Sequence, residues 1–265
     1  MLAQDLIPVL SEKYQVYAVA KNTLDISNSK DCESAVYGIR PDIVVNCAAF
    51  TKVDECEINP ICYDVNSLGV YNLACASKKV GARLVHFSTD YVFDGSKPTM
   101  YSEDEPRNPI NAYGKSKMLG EVGLEAVDPH ALNIRVQWLF GHAGNNFVKT
   151  MLKIAQNNKE IKVVADQFGR PTNTALLARS VVWLIKQGAE GKWHLASNNF
   201  CSWYEFAKEI LKNHPVQVIP CTSDEFPRPA KRPKNGVLDI TKAQFNGVAL
   251  HPWQDHLGEY IRVIE

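Results

Sequence analysis

Apolar positions along the chain switch repeatedly between a helical and a strand-like spacing. Leu2, Leu6, Val9 and Leu10 recur at helical spacing and predict a helix over residues 2–12. Residues 15–20 (QVYAVA) read as a strand. Ser29 is placed to cap a helix through residue 39, which Pro41 closes. Residues 42–48 (DIVVNCA) have the Val- and Ile-rich composition of a buried strand. A long helix over 61–80 follows, with Gly81 as its left-handed stop. Residues 83–88 (RLVHFS) are the next strand, 112–126 a helix, and 131–136 a strand. The back third predicts helices at 145–157, 174–187 and 202–213, with a short strand at 161–164. Strands alternating with helices imply crossover units and a parallel sheet, whose ligands sit beyond the carboxyl ends of the strands.

Composition narrows the function. The 265 residues are enough for one large domain or two small ones, and 45% hydrophobic content is that of a globular chain. Lys plus Arg and Asp plus Glu are both 29, so the chain is neutral. Neutrality argues against a dedicated binder of nucleic acid or anionic membrane. The seven cysteines are odd in number and lack CxxC spacing, which suits reduced thiols in a cytoplasm rather than a disulfide framework or zinc site. No metal site is assigned. No apolar run of membrane-spanning length occurs, and the first residues lack a signal peptide's basic and apolar regions.

Candidate chemistry centres on Tyr113-Gly-Lys-Ser-Lys117, which places a phenol and an ammonium four residues apart on one helix face. An ammonium close to a phenol favours the phenolate and makes Tyr113 a usable proton carrier near neutral pH. The spacing alone is weak, because Tyr17/Lys21 and Tyr204/Lys208 share it. Only Tyr113 has a matching context. The strand at 83–88 runs into Ser88-Thr89-Asp90, so hydroxyls stand at the sheet's carboxyl edge. Asn46 to Ala49 ends the preceding strand in small residues that let a ribose or flat ring approach the backbone. Asn66 on the long helix is placed to anchor a water or orient Lys117.

These segments together resemble the extended short-chain dehydrogenase/reductase family, and within it the dTDP-4-dehydrorhamnose reductases. The resemblance rests on LDIS (24–27), NCAAFTKVDECE (46–57), VNSLGVYNLA (65–74), FSTDYVFDG (87–95), YGKSK (113–117), RVQWLFG (135–141), DQFGRPT (166–172) and RPKNGVLD (232–239), in family order. It implies an α/β fold: a Rossmann-like doubly wound parallel sheet over 1–140, and a smaller, discontinuous substrate-binding lobe over 141–265. It implies reduction by NADPH or NADH of the C4 keto group of dTDP-4-dehydro-L-rhamnose to give dTDP-L-rhamnose. Thr89, Tyr113 and Lys117 would form the catalytic triad. Cofactor contacts would fall at Met1, Leu2, Asp25, Ile26, Cys47, Ala48, Ala49, Asn66 and Ser88 beside Tyr113 and Lys117. Lys21, at the end of residues 15–20, could meet a 2′-phosphate and tilts the choice to NADPH. Thr89, Asp90, Tyr91, Trp138, Arg170 and Arg232 would meet the nucleotide sugar, Arg232 as the foremost of a cluster with Arg228, Lys231 and Lys234. A homodimer is compatible with the resemblance.

The family pattern opens with a strand and a GxxGxxG turn, whereas here the match begins at Met1-Leu2-Ala3, with Ala3 in the place of the last glycine. The resemblance therefore implies a sheet without its first strand and weak or absent NADPH binding by this stretch. Two other readings compete. One is a ketoreductase or epimerase for a different nucleotide sugar. The other is a non-catalytic NADP-binding subunit similar to the regulatory subunit of methionine adenosyltransferase.

Overall fold

The computed structural model describes residues 1–264. The chain runs through α1 (Leu2–Ser11), α2 (Ser29–Ile39), β1 (Ile43–Asn46), α3 (Ile61–Tyr63), α4 (Gly69–Val80), β2 (Arg83–Thr89), α5 (Ala112–Val127), β3 (Leu132–Val136), β4 (Leu139–Phe140) and α6 (Phe147–Ala155). It continues through β5 (Glu160–Val164), β6 (Phe168–Gly169), β7 (Thr172–Asn173), α7 (Thr174–Lys186), β8 (Gly191–His194), β9 (Cys201–Ser202), α8 (Trp203–Ile210), β10 (Gln217–Cys221), α9 (Thr241–Phe245) and α10 (Trp253–Ile264).

The main sheet has four parallel strands in the order β1-β2-β3-β8. Helices cover both faces, as a parallel sheet requires. Val85 and Phe87 of β2 pack with Leu2 and Leu6 of α1 and Leu177 and Val181 of α7. Leu84 packs instead with Val70 and Leu73 of α4 and Leu124 of α5. The period-2 alternation thus sends His86 and Ser88 toward α5, where they become part of the site. Three two-stranded pairs, β10-β5, β4-β7 and β6-β9, organise the rest around a second core holding Phe140, Phe206 and Trp253. No helix among the described residues is long and apolar enough to cross a membrane.

Most predicted elements appear within a few residues of their expected ends, and two depart. Residues 15–20 form no strand: Tyr17 is 58% and Val19 is 53% exposed, and the segment pairs with none of the four strands. Apolar alternation supplies a face, but a strand also needs a neighbouring backbone to take its N–H and C=O groups. The helix expected over 61–80 is interrupted by a π turn at Asp64–Leu68. Such turns bulge a helix outward and recur at functional positions. This one presses the Asn66 carbonyl against α5 so closely that a Cβ at Gly120 would lie 2.2 Å from it.

Candidate active site

The site forms where β1, β2 and the first turn of α5 meet. Asn111 caps α5, accepting from the Gly114 N–H at 2.7 Å. Gly114 is obligatory in this turn, because a Cβ there would lie 2.1 Å from the Tyr91 carbonyl. The close approach sets Tyr113 against Tyr91, ring edge to ring face at 5.6 Å and 77°. Thr89 ends β2 and caps the short turn Asp90–Val92, its hydroxyl accepting from the Tyr91 N–H at 3.2 Å. Its hydroxyl also lies beside the Tyr113 phenol. Thr89 and Tyr113 thus meet where β2 ends, and Lys117 lies one turn further along α5.

Their electrostatics differ from expectation in one respect. Lys117 is buried, and its ammonium donates to the Phe87 carbonyl at 2.6 Å with His86 Nε2 at 3.3 Å. It makes no hydrogen bond to Tyr113. Burial therefore governs both groups: it pushes the Lys117 ammonium down to about 8 and holds the Tyr113 phenol above its ordinary range, reinforced there by the charge of Asp90. A phenol held protonated is a proton donor, not a standing base. Ser88 lies next to Lys117's helix neighbour Glu121.

Asn66 does not reach Lys117. Its amide grips the loop after β1, accepting from the Phe50 N–H at 2.8 Å and donating to the Phe50 carbonyl at 2.9 Å, with Ser116 Oγ at 3.0 Å. Asn46 turns the start of that loop by accepting from the Ala48 N–H at 3.0 Å. Cys47, Ala48 and Ala49 are thereby held as a small-residue shelf after β1. Asn66→Ala should cost about 2 kcal/mol, because it strands the Phe50 backbone groups. Thermal melting together with titration of NADPH checks this: both Tm and affinity are expected to fall. Unchanged affinity would show that the shelf does not carry the cofactor.

The remaining expected cofactor positions are scattered along the same sheet edge. Met1 precedes α1 and Leu2 is buried in the core, so Leu2 offers backbone rather than side chain. Asp25 is drawn below its usual range by Ser27, which donates to it through both hydroxyl and N–H. Ile26 is buried, its carbonyl accepting from Asn72.

The residues expected to meet the sugar have three fates. Trp138 has a left-handed backbone (φ 44°) and stacks on Trp203 at 3.6 Å and 12°. Gly169 makes room for it: a Cβ there would lie 2.4 Å from the ring. Arg170 is instead a buried clamp, its guanidinium donating to the carbonyls of Leu238 at 2.9 Å and Ser197 at 3.0 Å, and also to that of Asn198. Those bonds commit it to the protein's own loops, which corrects the expectation that it faces substrate. Arg232 lies beside the Tyr91 phenol and pairs with Asp54, 2.9 Å from Nη2, as Arg228 does at 2.7 Å. The two guanidinium groups hold the Asp54 carboxyl far below its usual range.

Sequence reasoning missed Asp54, Trp203, His86 and Gln137. Asp54 lies inside a matched segment, and its charge complements the basic cluster, which was the available signal. Nothing local marks Trp203 as the partner of Trp138.

The arrangement fits a nicotinamide dinucleotide. The Phe87 carbonyl takes one of the three N–H donors of Lys117; His86 accepts from Asn46 at Nδ1, so its neutral ring carries its own proton on Nε2 and takes none, which leaves donors for a ribose hydroxyl.

The chain is similar to known proteins along its whole length. The model of the RmlD substrate binding domain matches residues 1–265. Spore coat polysaccharide biosynthesis protein SpsK of Bacillus subtilis is 38% identical, over 94% of this chain and 89% of its own. A dTDP-4-dehydrorhamnose reductase of Aggregatibacter actinomycetemcomitans is 37% identical, over 91% and 88%. The crystal structure of dTDP-4-dehydrorhamnose reductase from Bacillus anthracis in complex with NADP superimposes with a TM-score of 0.95 at 40% identity, covering 99% of this chain and 95% of that one. Matches of this length and identity place the chain in the RmlD substrate-binding domain family.

Proposed function

We propose that the protein is an NADPH-dependent reductase of the C4 keto group of dTDP-4-dehydro-L-rhamnose, forming dTDP-L-rhamnose. The observation that carries the reading is the Thr89 hydroxyl beside the Tyr113 phenol where β2 ends, with Lys117 one helical turn along α5. Bound NADPH supplies the hydride. Tyr113 gives its proton to the oxygen at C4 as negative charge develops there, and its raised pKa keeps that proton available across the neutral range. Lys117 holds the nicotinamide ribose and supplies positive charge. Thr89 hydrogen-bonds the substrate oxygen and stabilises its charge. Trp138, stacked on Trp203, gives the sugar a flat apolar wall. Tyr91 and Arg232 stand at the nucleotide end, with Asp54 holding Arg232 in place. This chemistry belongs in the cytoplasm, where NADPH and nucleotide sugars are made.

The structure's catalytic geometry favours this reading over a non-catalytic binding subunit, which needs no phenol beside a hydroxyl and a buried lysine. The test is NADPH oxidation followed at 340 nm with dTDP-4-dehydrorhamnose, and with other 4-keto nucleotide sugars as controls. Oxidation strictly dependent on the dTDP-4-dehydrorhamnose is expected. NADPH bound without turnover of any 4-keto sugar would favour the binding subunit instead.

A further inference from the structure

The Thr89 hydroxyl has one proton to give, and the structure shows where it goes. Thr89 Oγ accepts from the Tyr91 N–H and donates to Asp90 Oδ1 at 3.0 Å. While Asp90 is ionised, Thr89 can only accept from the groups around it, the Tyr113 phenol included. It then has nothing to donate to a substrate oxygen.

The second carboxylate oxygen of Asp90 is fixed with equal rigour. The Arg170 N–H donates to Gln137 Oε1 at 2.9 Å, so the orientation of the Gln137 amide is set by a backbone donor. Gln137 Nε2 must therefore donate, and it does so to Asp90 Oδ2 at 3.0 Å and to the Gly236 carbonyl at 2.5 Å. The loop over this oxygen contributes backbone only: a Cβ at Gly236 would lie 2.5 Å from Oδ2. The titratable groups facing Asp90 are the phenols of Tyr113, from α5, and Tyr91, from its own turn. Asp90 is 3% exposed; one neutral side-chain donor at each oxygen and the backbone N–H groups of Asp90 and Tyr91 favour its charge, and burial outweighs them. A carboxylate so placed is expensive to keep charged, and burial moves its pKa up to about 7.

We propose that Asp90 is a positioning residue that sets the direction of the Thr89 hydrogen bond: neutral Asp90 donates to Thr89 Oγ, which frees the Thr89 proton for the C4 oxygen of the substrate. The inference rests on the reductase reading. Asp90 takes its proton from solvent at Oδ1 and releases it there, and the carboxyl forms no bond to substrate. Asp90 thus acts on the reaction through Thr89.

Asp90→Asn tests it, because the surroundings dictate how the amide sits. Gln137 Nε2 needs an acceptor, so the new amide oxygen faces Gln137 and the NH2 faces Thr89. The variant is then a permanent copy of the neutral acid. Wild-type turnover is expected to fall about tenfold per pH unit above about 7. In Asp90→Asn that limb moves up by about one unit, toward the range in which Lys117 loses its proton, with KM for the nucleotide sugar retained. In a Thr89→Val background the same exchange should leave the profile unmoved. A folded Asp90→Asn enzyme that is inactive at every pH, or a limb that does not move, overturns the proposal.

A second readout needs no activity. A carboxyl whose folded pKa is raised contributes stability that is fully present below the ordinary aspartate range and is lost as pH rises through the folded value. The Tm of wild type minus that of Asp90→Asn should therefore fall between pH of about 4 and about 7 and be level outside that window. A flat difference shows that Asp90 does not take up its proton near neutrality, and overturns the proposal even in an active enzyme. A wild type without turnover sinks the reductase reading, and the melting difference still decides whether Asp90 switches near neutrality.

Discussion

Tyr113→Phe should lower turnover at saturating NADPH about 100- to 10,000-fold while leaving the fold and the cofactor affinity in place. The size follows from what the substitution removes. Phe keeps the ring that meets Tyr91 edge to face, and it keeps the α5 turn closed by Asn111. Only the oxygen is lost, and with it the phenolic proton held beside Thr89 for the substrate oxygen. Lys117 cannot stand in, since its ammonium is directed at the Phe87 carbonyl and His86. Steady-state rates over a range of both substrates separate the effect on turnover from any effect on binding. Activity above about a tenth of wild type would mean that another donor protonates the product.

The second large effect concerns stability. Beneath α5, on the β3 and β8 side of Lys117, lies a buried charge network. Arg135 and Glu121 are both fully buried and joined by two hydrogen bonds, at 2.9 Å from Nε and 2.7 Å from Nη2. Arg107 adds a third bond to Glu121 at 3.0 Å and carries the network to Glu125. The other face of Arg135 lies over the Phe93 ring, with Nη1 donating to the Glu103 carbonyl at 3.0 Å. Arg135→Met is expected to cost about 3 kcal/mol, the low end for a broken buried pair, because Arg107 still meets the orphaned carboxylate. For a chain of this size that lowers Tm by roughly 6–10 °C. Adding Glu121→Met should recover most of the loss, since the cost lies in the unpaired charge rather than in the missing attraction. Arginine holds the Glu121 carboxyl down at about 2. Its contribution is therefore complete above the ordinary glutamate range and lost as pH falls toward that value. A single variant as stable as wild type would show that the network contributes nothing net. A double variant worse than the single would place the cost in packing.

Much of this was legible in the sequence, and what was not has identifiable causes. The strands were readable because DIVVNCA and RLVHFS carry near-continuous apolar runs, as parallel strands do, and β2 is buried along nearly its whole length. QVYAVA carries an equally good pattern and forms no strand, because pairing depends on neighbouring backbone that a local pattern does not report. The π turn at Asp64–Leu68 left no local trace either: it follows from packing against Gly120, more than fifty residues away. At the site, Thr89, Tyr113 and Lys117 could be found because each sits at a definable place, a strand end or a helix face. Arg170 and Arg232 could not be told apart in the same way. A guanidinium suits a diphosphate, a carboxylate or a set of carbonyls equally well. Only the fold shows that Arg170 has met three carbonyls and Arg232 an aspartate. The proton of Thr89 was likewise invisible, because its direction depends on Gln137, which depends in turn on the Arg170 backbone.

The central claim is that this site delivers hydride to C4 and a proton from Tyr113 to the oxygen on that carbon. The most direct measurement uses NADPH deuterated at the nicotinamide C4, with dTDP-4-dehydrorhamnose as acceptor and NMR of the product sugar. The account predicts deuterium at C4 of dTDP-rhamnose from wild type, and no such product from Tyr113→Phe over the same period. Reduced product carrying no deuterium at C4, or labelled product formed equally fast by Tyr113→Phe, would contradict it.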